Sequence, residues 1–514
     1  MAFIKEFFPS ILKTESEPYF IGLDIGTGSV KAIAYTLGLE PKHKSQFHYT
    51  LSSSHSGYYE LDPEKVWDGV LYCMDELRKK MGVKPRSIGL SSAMHGLLVM
   101  GKNGEVFTPI ITWADIRSAD IASRLRDLPI AEEIYRETGT PIHSMSPLCK
   151  IIWLRENQPE LWNKPILFVS IKSFIWFRLF GVFEEDWSMA SATGLMDIRS
   201  KNWYEPSLSL AGIQEAELPN LIDTEFFRTN IISESALQHG FEQGVPVVSG
   251  ASDGCTASLG SFTLRPGTAS ITIGTSGAVR ICSLKPVYQY PEMIFNYILN
   301  KDFWVSGGAI NNGGLAIDWA LKQFIQDPNQ RNYEQAFQKI ENIEAGSKGL
   351  LFLPYLTGER APIWDEKATA LFMGIRLIHI PDHFLRAVLE GICYSIYQVL
   401  LVLEKDGNEM NQIHISGGFT DSPVWVQILS DISGKTLILL QENDASTLGA
   451  AILSMKAMKS IPSLESIPEP NILRKFIPDP EKNKVYKKGY NQYKTLFPIL
   501  KNTMEALSED QDKS

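Results

Sequence analysis

Two short stretches of this sequence repeat each other half a chain apart. Residues 23–30 read LDIGTGSV and residues 271–278 read ITIGTSGA, each an apolar run ending in Ile-Gly-Thr and small residues. The shared core, residues 25–27 and 273–275, recurs 248 positions apart in a chain of 514. A repeat at that period predicts two related domains, each presenting a Gly-Thr turn. Three identical residues also fall within chance, so the wider pattern has to agree. Strand-like segments (YFIGLDIG, SIGLSSAM) alternate with amphipathic helical ones (EKVWDGVLYCMDELRKK), the mark of an α/β chain. The expected organisation is an N-terminal extension over 1–17, a first domain over 18–258, a second over 259–496 and a tail over 497–514. The charged end of that tail, ALSEDQDKS, is expected to fray.

The turns carry chemistry of their own. No GxxxxGK[ST] run is present, and Gly26 and Gly28 lack a third glycine at dinucleotide-binding spacing. What remains in Gly26, Thr27, Gly28 and Ser29 is a turn dense in N–H groups and hydroxyls, with Lys31 beside it. Such a turn wraps an anion, although a plain hairpin also fits. The second copy, with Gly274 and Thr275, favours two grips on one phosphate chain from opposite walls of a cleft. Asp24 in the first copy is replaced by Thr272 in the second. A single acid between two phosphate turns suggests Mg²⁺, which takes one or two carboxylates and fills its shell with water and phosphate oxygens. The alternative is an Asp that caps its own turn.

Other motifs read in two ways each. Asp253, in ASDG after the strand GVPVVSG, sits where α/β folds place ligands and can accept a proton from a hydroxyl; an Asx-turn fits equally. Met94 and His95 follow a strand, and a lone histidine is usually structural. Trp113, Asp115 and Arg117 within TWADIRS suit a polyol site, or an exposed amphipathic turn. Gly417 and Gly418, with Ser422 at the next helix start, let a flat base approach the backbone, or make a tight strand-to-helix turn.

Composition removes several classes. The net charge of −10 argues against nucleic acid or an anionic membrane as partner. Five scattered cysteines without CxxC spacing indicate neither zinc nor a disulfide framework, and fit a reducing cytoplasm. No apolar run is read as long enough to span a bilayer. Phe3, Ile4, Phe7, Phe8, Ile11 and Leu12 make residues 1–18 either an amphipathic anchor or a segment packing on its own domain.

Two extended patterns, MSPLCKIIWLREN at 145–157 and ALFMGIRLIHIPDHFLRAVLEG at 370–391, make the chain resemble the FGGY carbohydrate kinases over roughly 18–495. That resemblance implies two ribonuclease-H-like domains of the actin/hexokinase ATPase type around a central cleft. It implies transfer of the γ-phosphoryl group of ATP, with Mg²⁺, to a sugar hydroxyl. Carried over, it implies Asp253 as base, Asp24 as the acid near the metal, and Gly26, Thr27, Gly28, Ser29 and Lys31 as first phosphate turn. Gly274 and Thr275 match the second turn, Gly314 and Asp318 the nucleotide side, Gly417, Gly418 and Ser422 the adenine end, and Met94 and His95 the acceptor strand. The chain departs from the family at Gly28, where a hydroxyl residue is frequent, and at Ser422, where Asn is.

Within the family, SSAMHG, TWADIRS, TGTPIHSMSPL and LPYLTGERAPIWD resemble the gluconate kinases. A sugar acid demands a cation, for which Arg117, His143 and Lys150 are the candidates, Arg117 first for its bidentate geometry. The expected partners are a small sugar or sugar acid and ATP, with a homodimer as the expected assembly. The alternatives are a kinase of xylulose or another neutral sugar, and a non-catalytic actin-like binder.

Overall fold

The computed structural model describes residues 17–325, 333–405, 407–441 and 444–511. The apolar extension at 1–16, and the anchor or packing role read for it, lie outside the described residues. Two sheets organise the rest. In the first, β1 (Tyr19–Ile25), β2 (Ser29–Thr36) and β3 (Pro41–His48) form an antiparallel meander. On the other side of β1, β4 (Ile88–Ser92) and β5 (Val247–Ser252) continue the sheet in parallel, and Phe227–Arg228 closes that edge. All seven residues of β1 are buried, as expected of a central strand covered on both faces, so it reads as one apolar run broken only by Asp24. The outermost strand β3, PKHKSQFH, is mostly exposed and basic, which protects an open edge.

The second sheet repeats the plan. β6 (Thr268–Ile273) is antiparallel to β7 (Gly277–Ser283) and parallel to a strand at Gln412–Ser416. Two further antiparallel strands, β8 (Phe295–Ile298) and β9 (Trp304–Ile310), extend the β7 side. β10 (Gln412–Ser416) pairs in parallel with β11 (Thr436–Leu440), and Ile472–Phe476 ends the sheet. The two Gly-Thr turns are therefore equivalent hairpins in equivalent places.

The last parallel strand of each sheet runs into a helix. β5 leads into α1 (Asp253–Gly260), and β11 leads towards a helix at Ala445–Ala457. These helices cross at bare backbone. A Cβ on Gly449 would stand 1.9 Å from Thr256 O, and one on Gly260 would stand 2.0 Å from Ala445 O. The same helix lies on the first sheet, where a Cβ on Gly22 would stand 1.8 Å from Thr447 O. The expected boundary at 258/259 thus falls inside α1, whose contact with the later helix keeps it helical through Gly260.

Three further helices complete the frame: α2 (Gly314–Phe324), α3 (Pro381–Glu404) and, beyond α4 (Ala445–Ala457), α5 (Pro480–Gln511). Contrary to the sequence reading, α3 is long and apolar enough to cross a membrane; 83% of its most apolar window is buried inside the protein. It holds a buried Arg386–Glu390 pair at 2.9 Å, which marks it as a core helix. α5 runs to Gln511 and buries Met504; the end of ALSEDQDKS, 512–514, lies outside the described residues.

Candidate active site

The β1–β2 pairing ends at Ile25 and Val30, leaving Gly26, Thr27, Gly28 and Ser29 as the first turn. Gly26 N–H donates to Ser29 O at 2.9 Å. Gly28 is exposed, with nothing within 4 Å of the place a Cβ would take, an open side for a ligand approaching the N–H groups. Trp113 Nε1 donates to Thr27 Oγ1 at 3.0 Å, and Gln46 Nε2 donates to Ser29 Oγ at 3.2 Å. Lys31 does not stand free: its ammonium lies 3.3 Å from Asp444, which also meets Lys44 at 2.9 Å.

The second turn is braced from below. Gly313 and Leu315 donate N–H groups to Thr275 O at 3.0 and 3.2 Å, and Gly314 donates to Gly274 O at 2.7 Å. A Cβ on Gly314 would stand 2.8 Å from Gly274 O. Gly314 therefore supports the turn, and its N–H is taken. Asp318, one helical turn later, is exposed and accepts the hydroxyl of Tyr333. Gly417 has φ +98°, and a Cβ there would stand 2.4 Å from Ile273 O, so only glycine lets this loop pack on the end of β6. Gly418 beside it is open. Ser422 Oγ caps the helix Pro423–Ser433 by accepting Trp425 N–H at 3.2 Å, which takes up one of its acceptor positions.

Two carboxylates stand at strand ends of the first sheet. Asp24 on β1 faces Ser91 on β4, whose hydroxyl donates to Asp24 Oδ1 at 2.6 Å. Burial raises the Asp24 pKa, against the pull of Ser91 and Lys31. Asp253 opens α1, accepts Gly254 N–H at 2.7 Å and stays half-buried. Both readings of that residue are thus present in its geometry, a local Asx contact and a carboxylate open to the cleft. Its pKa is pushed up to about 6, by burial first and by the charge of Asp24 second, while Arg280 pulls it down. The preceding residue is held from outside the helix: Ser188 Oγ accepts Ser252 N–H at 3.0 Å.

The acceptor side differs from expectation. Arg117 is not available to a substrate carboxylate. Its side chain is 3% exposed, bonds Asp115 Oδ1 and Oδ2 at 2.8 and 2.7 Å, reaches Glu60 at 2.5 Å and stacks 4.0 Å over Tyr58. Asp115, fully buried, also accepts Tyr59 N–H at 2.8 Å, so this pair is structural. Lys150 is spent as well: its ammonium donates to His95 O, Thr112 O and Ile111 O at 2.6, 2.7 and 3.3 Å. Burial draws its pKa down to about 7. His143 Nδ1 accepts Met145 N–H at 3.1 Å and Nε2 stands 3.4 Å from Glu366. Burial and then Arg360 keep it neutral.

His95 is a brace rather than a free ligand. Nδ1–H donates to Ala192 O at 2.7 Å and Nε2 accepts the Tyr297 hydroxyl at 3.1 Å, joining the two halves. Burial brings its pKa down to about 3, so the ring is neutral. Its φ of +64° is costly for a non-glycine residue and persists because these bonds and Lys150 over-determine it. Met94 stays half-buried against Gly254.

Sequence reasoning missed two cleft arginines. Arg360 Nε donates to Asn311 Oδ1 at 2.7 Å and Nη2 to Ile310 O at 3.0 Å, and its guanidinium lies 5.2 Å from the Trp113 ring. Arg280, the last residue of ITIGTSGAVR, reaches across to Gly254: a Cβ there would meet Arg280 Nε at 3.3 Å and Met94 Cε at 2.5 Å. A lone charge inside an apolar strand was the signal that could have found it.

Known proteins share this sequence and fold over most of its length. The profile of the FGGY family of carbohydrate kinases, N-terminal domain, matches residues 19–260, and that of the C-terminal domain matches 269–458. The gluconokinase of Bacillus subtilis (strain 168) is 35% identical over 95% of this chain and 96% of its own length. The xylulose kinase of the same organism is 28% identical over 94% and 96%. Among solved structures, gluconate kinase from Lactobacillus acidophilus superposes with a TM-score of 0.90 at 29% identity, covering 94% of this chain and 98% of that one. Ligand-bound xylulose kinase from Lactobacillus acidophilus gives 0.91 at 29%, covering 95% and 100%. With two equivalent hairpin turns, two acids at strand ends of the first sheet and family matches over both halves, this chain belongs to the FGGY family and is a carbohydrate kinase.

Proposed function

We propose that the protein transfers the γ-phosphoryl group of ATP to the terminal hydroxyl of a sugar acid, D-gluconate, giving 6-phospho-D-gluconate. The observation that carries the reaction type is Asp253, a half-buried carboxylate at a strand end of the sheet that bears the first Gly-Thr turn. A pKa raised to about 6 leaves it ionised at neutral pH yet basic enough to take a proton from the attacking hydroxyl. Gly26, Thr27 and Gly28 on one wall and Gly274 and Thr275 on the other grip the phosphates. Positioning and charge neutralisation are what phosphoryl transfer asks of a protein. Gly417 and Gly418 offer flat backbone for the adenine. The acid substrate is supported by identities of 35% and 33% to gluconokinases against 28% to the xylulose kinase of Bacillus subtilis.

Asp24 fits Mg²⁺. Among the described residues no cluster of three or more acidic, His or Cys ligands occurs, which suits an ion held by one carboxylate, waters and substrate phosphates. Bound there, Mg²⁺ supplies neutralisation of phosphate charge, and its field relieves the repulsion that Asp24 exerts on Asp253. The free thiols, most of them buried, support a cytoplasmic setting, with a sugar acid and ATP as partners and a homodimer as the assembly. A panel of D-gluconate, D-xylulose and glycerol with coupled ADP detection tests the reading. Gluconate should give the highest kcat/KM; a clear preference for xylulose would replace it.

A further inference from the structure

Arg280 stands out in the cleft. Among the described residues its side chain has no hydrogen bond and no ion pair, and its Nε is a buried donor without a partner. Its field reaches Asp253, yet no oxygen of Asp253 comes within ion-pair distance. Arg280 as a whole is half-buried, and a charged group partly removed from water without its counter-charge is costly to fold. Such cost is retained where a ligand supplies the missing partner. Every other cation proposed for this role is already spent: Arg117 on Asp115 and Glu60, Lys150 on three carbonyls.

The register says which ligand group Arg280 can meet. Arg280 pairs with Ser270, while the second turn opens from the Ile273–Gly277 pair. Three residues of strand separate Arg280 from that turn, about 10 Å at 3.3 Å per residue. It therefore lies below the phosphate grip. It meets α1 at Gly254, next to the base and opposite Met94. From these positions we infer that Arg280 binds the carboxylate of the acceptor and so sets this kinase's preference for acidic over neutral substrates. The inference rests on the sugar-acid reading above. Asp253 would take the hydroxyl end of the acid and Arg280 the carboxylate end, with Gly254 admitting Arg280 and Met94 close against the start of α1. The planar guanidinium can hold both carboxylate oxygens, which an ammonium cannot.

The test uses the full chain with MgATP and two acceptors of equal carbon count, D-gluconate and D-glucitol, in the wild type and in Arg280→Met and Arg280→Lys. Arg280→Met should lower kcat/KM for gluconate on the order of 100-fold, mostly through KM. The gluconate-to-glucitol preference should fall with it, and the KM for ATP should stay within about twofold. Arg280→Lys should recover only part of the loss. The thermal midpoint of ligand-free Arg280→Met should equal or exceed the wild type, because an unpaired, half-buried charge has gone, while the midpoint shift on adding gluconate disappears. An equal loss on both acceptors, a matching rise in the ATP KM, or an unstable Arg280→Met would make Arg280 a support of Asp253 or of the phosphates and overturn the inference. Wild-type preference for neutral acceptors would overturn the substrate reading and this one with it. Wild-type preference for gluconate, with its KM unchanged in Arg280→Met, would overturn this one alone.

Discussion

Asp253 owes its chemistry to its surroundings. Burial and Asp24 raise its pKa to about 6, so the base form is present above that pH and lost as pH falls through it. The acid limb of kcat/KM, which reports the free enzyme, should fall near pH 6. Asp253→Asn should cut kcat by roughly 100-fold or more with ATP affinity nearly unchanged in equilibrium titration; survival of turnover would remove it as base. Arg117 makes the opposite case. Its removal leaves Asp115, fully buried, and Glu60 unpaired, a loss of about 3 kcal/mol. Arg117→Ala should lower the thermal midpoint, with at most a small change in the gluconate KM of the folded enzyme. A raised KM with an unchanged midpoint would restore it as a ligand.

At the scale of elements, the contact between α1 and α4 joins catalysis to stability. α1 begins with Asp253, the proposed base, and α4 follows the Asp444 that holds Lys31. The helices touch through backbone because Gly449 and Gly260 carry no side chains. Gly449→Ala would drive a methyl into Thr256 O and cost about 3 kcal/mol. We expect a lower thermal midpoint together with reduced kcat, since α1 must shift to make room. A variant that keeps both would show that the helices slide apart freely.

Over the whole molecule, the duplicated halves face each other with unlike turns. Only the first has an acid, Asp24, and the second has Thr272, which hydrogen-bonds Ser416 at 2.9 Å. On the proposed reading, one metal shared by two phosphate grips would account for that asymmetry. Asp24→Ala should raise the Mg²⁺ concentration needed for half-maximal turnover roughly tenfold or more, while gluconate binding measured by calorimetry without metal stays close to wild type. An unchanged Mg²⁺ requirement would leave Asp24 as a strand residue that merely receives the Ser91 hydroxyl.

The sequence by itself determined the elements whose information is local. The two Gly-Thr turns were legible because a strand, a glycine and a small residue are neighbours in the chain, and the 248-residue spacing tied them into one duplicated plan. Asp24 and Asp253 were legible because each sits at a strand end. Tertiary structure alone decided which cations are available. Arg117 is answered by Glu60, Lys150 by the carbonyls of His95, Ile111 and Thr112, and Lys31 by Asp444 from the other half. Whether a charge is free for a ligand depends on what folds against it from elsewhere, and spacing along the chain carries no record of that. The same reason hid Arg280, one charge in an apolar strand, until the second half closed over Gly254.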